Sequence, residues 1–82
     1  MTTKNLLRRI EVNPKIMLGK PVIRGTRIPI ELILKKLSQK IEPEEILEDY
    51  PRLTREDIQA AIAYAAESLG TEEILLFKTA HR

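Results

Sequence analysis

The residues best equipped for chemistry in this 82-residue chain are arginines set around one glycine. Arg24-Gly25-Thr26-Arg27 places two guanidinium groups and a hydroxyl beside a residue that is free to take a positive φ. Guanidinium groups next to exposed backbone amides are good phosphate ligands. Lys20 stands just upstream, and Arg8 and Arg9 belong to the same basic half. If this segment forms a two-stranded ribbon, its arginines can enter a major groove. The alternative is that they neutralise Glu11, Glu31 or the acidic stretch further along. The run is not a phosphate-loop NTPase motif, which needs GxxxxGK[ST] opening a helix. Here Gly25-Thr26 lacks the lysine, and Pro29 follows closely.

Two further groups have a chemical reading. Arg55 and Gln59 have the side-chain types that read guanine and adenine edges, one helical turn apart. Glu56, Asp57 and Glu67 on the same segment repel phosphate, so the basic N-terminal ribbon is the better candidate for a DNA surface. Glu44, Glu45, Glu48 and Asp49 form an acidic cluster at i, i+1, i+4, i+5. The first two favour a helix N-terminus; the last two oppose the dipole at its C-terminus. An acidic cluster that local stability does not favour suits a basic protein partner, although a simply solvated face has the same composition. The acids sit on adjacent positions of one element rather than converging from several, so no metal site and no cofactor are expected. Catalysis has little to work with: there is no cysteine, and the single histidine is His81. The chain is therefore not expected to be an enzyme.

The elements that must position these groups can be read from hydrophobic spacing. Residues 1–8 read as an N-terminal tail. Arg9-Ile10-Glu11-Val12 alternates with strand period, Asn13-Pro14 and Gly19-Lys20-Pro21 are breaks, and Val22-Ile23-Arg24 is a second short strand able to pair with the first. From Pro29 the period becomes helical, with Ile30, Ile33, Leu34 and Leu37 on one stripe. A second helix starts at Glu42-Pro43 and stops at Tyr50-Pro51. A third starts at Thr54, with Asp57 completing a box-like cap, and ends at Gly70. Its core stripe reads as Ile58, Ala61, Ile62, Ala65 and Leu69. The connection Pro51-Arg52-Leu53 is short enough for a helix-turn-helix. Residues 9–70 thus form a single, mainly α domain, a three-helix bundle preceded by a β-ribbon. Residues 71–82 read as a C-terminal docking segment, helix or strand, whose Leu75, Leu76 and Phe77 offer apolar contact.

Charge is segregated along the chain. Residues 1–40 carry ten Lys/Arg against two Glu, net +8, whereas residues 41–82 carry four Lys/Arg against ten Asp/Glu, net −6. This pattern suits an anionic partner on one side and a basic one on the other, or mutual neutralisation within the chain or a dimer. A domain of this size, without disulfide or metal, buries roughly 60% of its unfolded surface and gains from a shared core. A homodimer is therefore expected, through the N-terminal strands or the region of Tyr64 and Leu69. No apolar run approaches the about 20 residues of a membrane span, and the start resembles no signal peptide, so no membrane contact and a cytoplasmic location are expected.

The run Gly19-Lys20-Pro21-Val22-Ile23-Arg24-Gly25-Thr26-Arg27-Ile28-Pro29 resembles the signature of a bacterial and archaeal family known as domain of unknown function 433. So does Pro43-Glu44-Glu45-Ile46-Leu47-Glu48-Asp49-Tyr50-Pro51, followed by Leu53-Thr54 and Glu56-Asp57-Ile58. The likeness covers roughly residues 9–69. It implies a homeodomain-like, helix-turn-helix fold and an antitoxin-like role beside a PIN-like ribonuclease toxin. Two positions depart from the pattern: Lys40 stands where a glycine is usual, and Glu42 where Ser or Thr is usual.

The functional expectation is an antitoxin-like DNA-binding module that neutralises the toxin and autoregulates its operon. DNA contacts would come from Lys20, Arg24, Thr26, Arg27, Arg55 and Gln59. Partner contacts would come from Glu44, Glu45, Glu48, Asp49, Leu75, Leu76 and Phe77. The alternative is a homo-oligomeric interaction module that touches no DNA.

Overall fold

The computed structural model describes residues 2–81 along the backbone and residues 2–70 with their side chains. Among the described residues the chain is mainly helical, with four helices and one two-stranded antiparallel sheet. The side chains of Leu75, Leu76 and Phe77, expected as docking residues, lie outside those described.

The first helix, α1 (Thr3–Leu7), occupies the segment expected to be a tail. Thr2 caps it in an extended conformation, its hydroxyl accepting from the Asn5 amide at 3.2 Å. Leu6 is buried in the main core, and α1 lies against the last helix. Five residues cannot hold a helix in water by propensity; the burial of Leu6 holds this one.

The ribbon forms as its sequence predicts. Strand β1 (Ile10–Glu11) pairs antiparallel with β2 (Val22–Ile23), Ile10 opposite Ile23 and Glu11 opposite Val22. Beyond β2 the chain turns back on itself. The Ile23 amide donates to Ile28 and the Ile30 amide to Pro21, each at 3.0 Å. Pro29 therefore faces Val22 at a non-hydrogen-bonded position, where its missing N–H costs nothing.

Between the strands the chain makes a left-handed turn, with φ of 50° at Met17, 58° at Leu18 and 85° at Gly19. For Met17 and Leu18 this conformation costs about 1–2 kcal/mol each. Leu18 nonetheless projects into solvent, 95% exposed.

Helix α2 (Ile30–Ser38) buries Ile30 and Ile33, with Leu34 and Leu37 against the core edge. Its end is closed by a Schellman pair: the Ile41 amide donates to Lys36 and the Lys40 amide to Leu37. Lys40 takes the left-handed conformation (φ 65°) that this closure demands, so the absence of glycine does not change the turn. Helix α3 (Pro43–Asp49) starts on its proline and drives Ile46 fully into the core. No side chain caps it at Glu42.

Helix α4 (Arg55–His81) is interrupted by non-helical backbone at Gly70 (φ 75°, ψ 168°), the position expected to end it. Its start matches expectation closely. The Thr54 amide donates to Asp57 Oδ2 at 2.9 Å, and the Asp57 amide to Thr54 Oγ1 at 3.2 Å. The predicted core stripe is wrong at two positions. The buried face is Ile58, Ala60 and Ala61, with Tyr64 half-buried beside them, whereas Ile62 is 44% and Leu69 57% exposed. The two small alanines let α4 approach the core closely, which turns Ile62 and Leu69 toward solvent.

Candidate nucleic-acid interface

The turn 24–27 is built by its own side chains. The Thr26 hydroxyl donates to the Ile23 carbonyl at 2.7 Å and accepts from the Ile28 amide at 3.0 Å. Thr26, expected as a phosphate ligand, is thus occupied in pinning the turn. Gly25 sits at φ 81°, and a Cβ there would meet nothing within 4 Å, so glycine is needed for conformation rather than for room. Arg24 fastens the turn to β1: its Nε donates to the Arg8 carbonyl at 2.8 Å and its Nη2 to the Ile10 carbonyl at 3.0 Å. Arg52, from the α3–α4 connection, donates through Nη2 to the Gly25 carbonyl at 2.8 Å.

These contacts orient positive charge without cancelling it, since backbone carbonyls are neutral. Arg27 is exposed on the same turn. It lines a hollow of about 390 Å³ together with Arg52, Gly25, Thr26, Ile16 and Glu11. Among the described residues the ion pairs within 4.0 Å join Arg9 to Asp57, Lys20 to Glu31 and Arg55 to Glu44. Arg8, Arg24, Arg27 and Arg52 are in none of them. Arg24, Arg27 and Arg52 therefore meet at one turn without an ion pair, with Glu11 as the single acid lining the hollow. The alternative reading has the Arg24–Arg27 segment neutralised by Glu11, Glu31 or the acidic helix; Glu31 holds Lys20, Glu44 holds Arg55, and Glu11 lines the hollow but is in no ion pair within 4.0 Å among the described residues.

The other predicted DNA contacts lie differently. Lys20 Nζ is 2.9 Å from Glu31 Oε2, an exposed pair that salt readily screens. Arg55 is bound to Glu44, whose carboxyl is held below its ordinary pKa first by that hydrogen bond, then by its own backbone amide and the guanidinium charge. The same bond raises the pKa of Arg55. Gln59 is exposed one turn further along α4. The start of α4 thus presents a paired Arg55 with the exposed Glu56 beside it, unlike the arginine turn. Glu45, Glu48 and Asp49 are exposed on α3 and enter no ion pair among the described residues.

Arg52, which little in its sequence surroundings marks as a site residue, is the second guanidinium of the hollow. It lies 27 residues from Gly25, and the only hint was a basic residue in a three-residue connection. Among the described residues no group of three or more acidic or histidine side chains is placed to hold a metal ion. No helix among them is long and apolar enough to cross a membrane.

A β-ribbon set against α4 in a four-helix domain, with arginines gathered at the ribbon's turn and acids along one short helix, defines a small charge-segregated helical domain. The chain belongs to the family described as "Protein of unknown function (DUF433)", which matches residues 10–65. It is similar to a solved DUF433 member from Anabaena variabilis, with a TM-score of 0.70 and 34% identity over 78% of this chain and 63% of that one. It is 38% identical over 53 residues to the uncharacterized protein y4eO of Sinorhizobium fredii, covering 65% of this chain but 24% of that protein. An uncharacterized protein of Archaeoglobus fulgidus is 56% identical over 25 residues, which are 30% of this chain and 69% of that protein.

Proposed function

We propose that this chain is a nucleic-acid-binding module of the antitoxin kind, which grips duplex DNA through the arginine turn. The carrying observation is that Arg8, Arg24, Arg27 and Arg52 are in no ion pair among the described residues, while two of them are fixed by backbone carbonyls. Pre-oriented guanidinium groups bind phosphate with less ordering cost than free ones. In this reading α2, α3 and α4 form a homeodomain-like bundle. The turn carries the DNA contacts, and the exposed acids Glu45, Glu48 and Asp49 face a basic protein, a PIN-like ribonuclease toxin. Binding both DNA and toxin lets the pair repress its own operon.

The test has two arms. Fluorescence anisotropy with a duplex of about 25 base pairs should show binding that weakens steeply with salt. Co-expression with the product of the neighbouring reading frame should yield a stable complex on size exclusion. Absence of duplex binding at low salt refutes the DNA role, and absence of a complex refutes the antitoxin role.

A second reading has its own support. Tyr64 stands between two apolar hollows, one with Pro21, Ile30, Leu34, Ala65 and Leu69, the other with Leu7, Ile10 and Val12. Val12 and Leu69 are more than half exposed. A homo-oligomeric interaction module would use this side, opposite in character to the arginine turn. Light scattering that gives a dimer, together with no DNA binding, would favour it.

A further inference from the structure

The turn between the strands displays a leucine that the fold does not use. Leu18 is 95% exposed, and its neighbour Met17 is 38% exposed. Both are held in the left-handed region, with Gly19 following in the same region. The loop around them is firmly tied. The Lys15 amide donates to Asn13 Oδ1 at 2.9 Å, the Ile16 amide to the Asn13 carbonyl at 2.8 Å, the Gly19 amide to Ile16 at 3.0 Å and the Lys20 amide to Met17 at 3.1 Å. A lone exposed leucine needs no explanation, but two successive non-glycine residues held at positive φ are costly, and such strain clusters at ligand clamps and other functional sites.

The residues around the tip bear on what chemistry would suit it. Lys15 and Lys20 flank the tip, Lys20 in an exposed pair with Glu31 that salt screens, and Ile16 of the same loop lines the hollow that holds Arg27 and Arg52. The fitting surface is an apolar slot with an anionic rim. Duplex DNA has this form, with stacked bases between phosphate rows, and apolar wedges such as Leu and Met enter it at opened base steps. We propose that Leu18, backed by Met17, is a wedge that enters a DNA groove and partly unstacks a base step while the neighbouring arginines hold the flanking phosphates. The proposal rests on the DNA-binding reading above.

The test uses the full chain and a set of duplexes, each carrying 2-aminopurine at a different step and a fluorophore pair at its ends. Wild type should raise 2-aminopurine fluorescence and shorten the end-to-end distance. Leu18→Gly suits the local φ, so its melting temperature should hold or rise, which separates the test from a folding failure. This variant should bind about tenfold more weakly, lose both signals and keep the wild-type salt dependence. If wild type binds without either signal, or Leu18→Gly keeps both, the wedge is refuted while the DNA-binding reading stands. If wild type binds no duplex, the DNA-binding reading falls and the wedge with it. If Leu18→Gly abolishes a complex with the neighbouring gene product yet bends DNA normally, the leucine is a protein-docking residue and the wedge is likewise refuted.

Discussion

Arg9 and Asp57 join the root of the ribbon to the start of α4: Arg9 Nη1 lies 3.1 Å from Asp57 Oδ1. The other carboxylate oxygen accepts the Thr54 amide. One nearly buried carboxylate thus caps a helix and anchors the segment from which β1, and through Arg24 the whole arginine turn, is hung. The position of the candidate DNA surface relative to the helices depends on this pair.

Removing it has a calculable effect. Asp57→Ala deletes the cap bond and leaves the Arg9 guanidinium half-buried without its acid. Hydrogen bonds to a charged group and a lost N-cap together predict a destabilisation of about 2–3 kcal/mol. Arg9→Ala should cost less, because Asp57 keeps its bond to Thr54. Urea unfolding of the two variants checks the order; equal losses would mean that the cap contributes nothing.

Lys40 offers the opposite sign. At φ 65° it closes α2 in a conformation suited to glycine, and the Schellman bonds on either side need only backbone. Lys40→Gly should stabilise the fold by about 1 kcal/mol, the relief of left-handed strain exceeding the added freedom of the unfolded chain. Thermal melts should show a higher midpoint; an unchanged or lower one would indicate that the lysine side chain has a contact of its own to lose.

The Arg55–Glu44 pair makes a pH prediction. Glu44 has a lowered pKa in the folded chain, so its contribution is present above the ordinary value of 4.5 and disappears as pH falls through the lower folded value. Arg55, whose pKa is raised by the same pair, stays charged throughout this range. Carboxyl carbon NMR should place the Glu44 midpoint below 4.5 in wild type and return it toward 4.5 in Arg55→Ala. The stability difference between the two proteins should shrink in acid and hold at neutral pH. A wild-type midpoint at the ordinary value would show that the pair does not persist in solution.

What the residues disclosed unaided follows from how local each signal is. The ribbon is legible because an alternating run ends at Asn13-Pro14 and a β-branched run begins after Gly19-Lys20-Pro21, and the cap of α4 because Thr54 and Asp57 stand three apart. α1 was not legible, since five residues give no period and what holds it is the long-range burial of Leu6. Ile62 and Leu69 were misplaced for a related reason. Both sit at helical spacing from Ile58, but Ala60 and Ala61 decide which face packs, and that depends on how closely the rest of the chain approaches. The candidate site was half legible. Arg24 and Arg27 announced themselves beside Gly25, whereas Arg52 reaches the turn only through the fold, and the Thr26 hydroxyl, which sequence assigns to a ligand, is occupied within the turn.

The division of labour between the turn and α4 is open to direct measurement. Arg27 and Arg52 share one hollow and are in no ion pair among the described residues, whereas Arg55 is already bound to Glu44. If the turn carries the phosphate contacts, Arg27→Ala with Arg52→Ala should flatten the plot of log affinity against log salt by about 0.9 for each contact removed. Arg27 bonds nothing that holds the turn, so its single replacement should leave the melting temperature unchanged. Replacement of Arg52 also removes the bond to the Gly25 carbonyl and should lower it slightly. Arg55→Ala should leave the salt slope as it is, and Glu44→Gln, which weakens the hold on Arg55, should not raise affinity appreciably. Anisotropy titrations over a series of salt concentrations distinguish the two surfaces. A slope that falls for Arg55→Ala and stays for the Arg27/Arg52 pair would move the DNA contact to α4 and return the helix-turn-helix to its usual role.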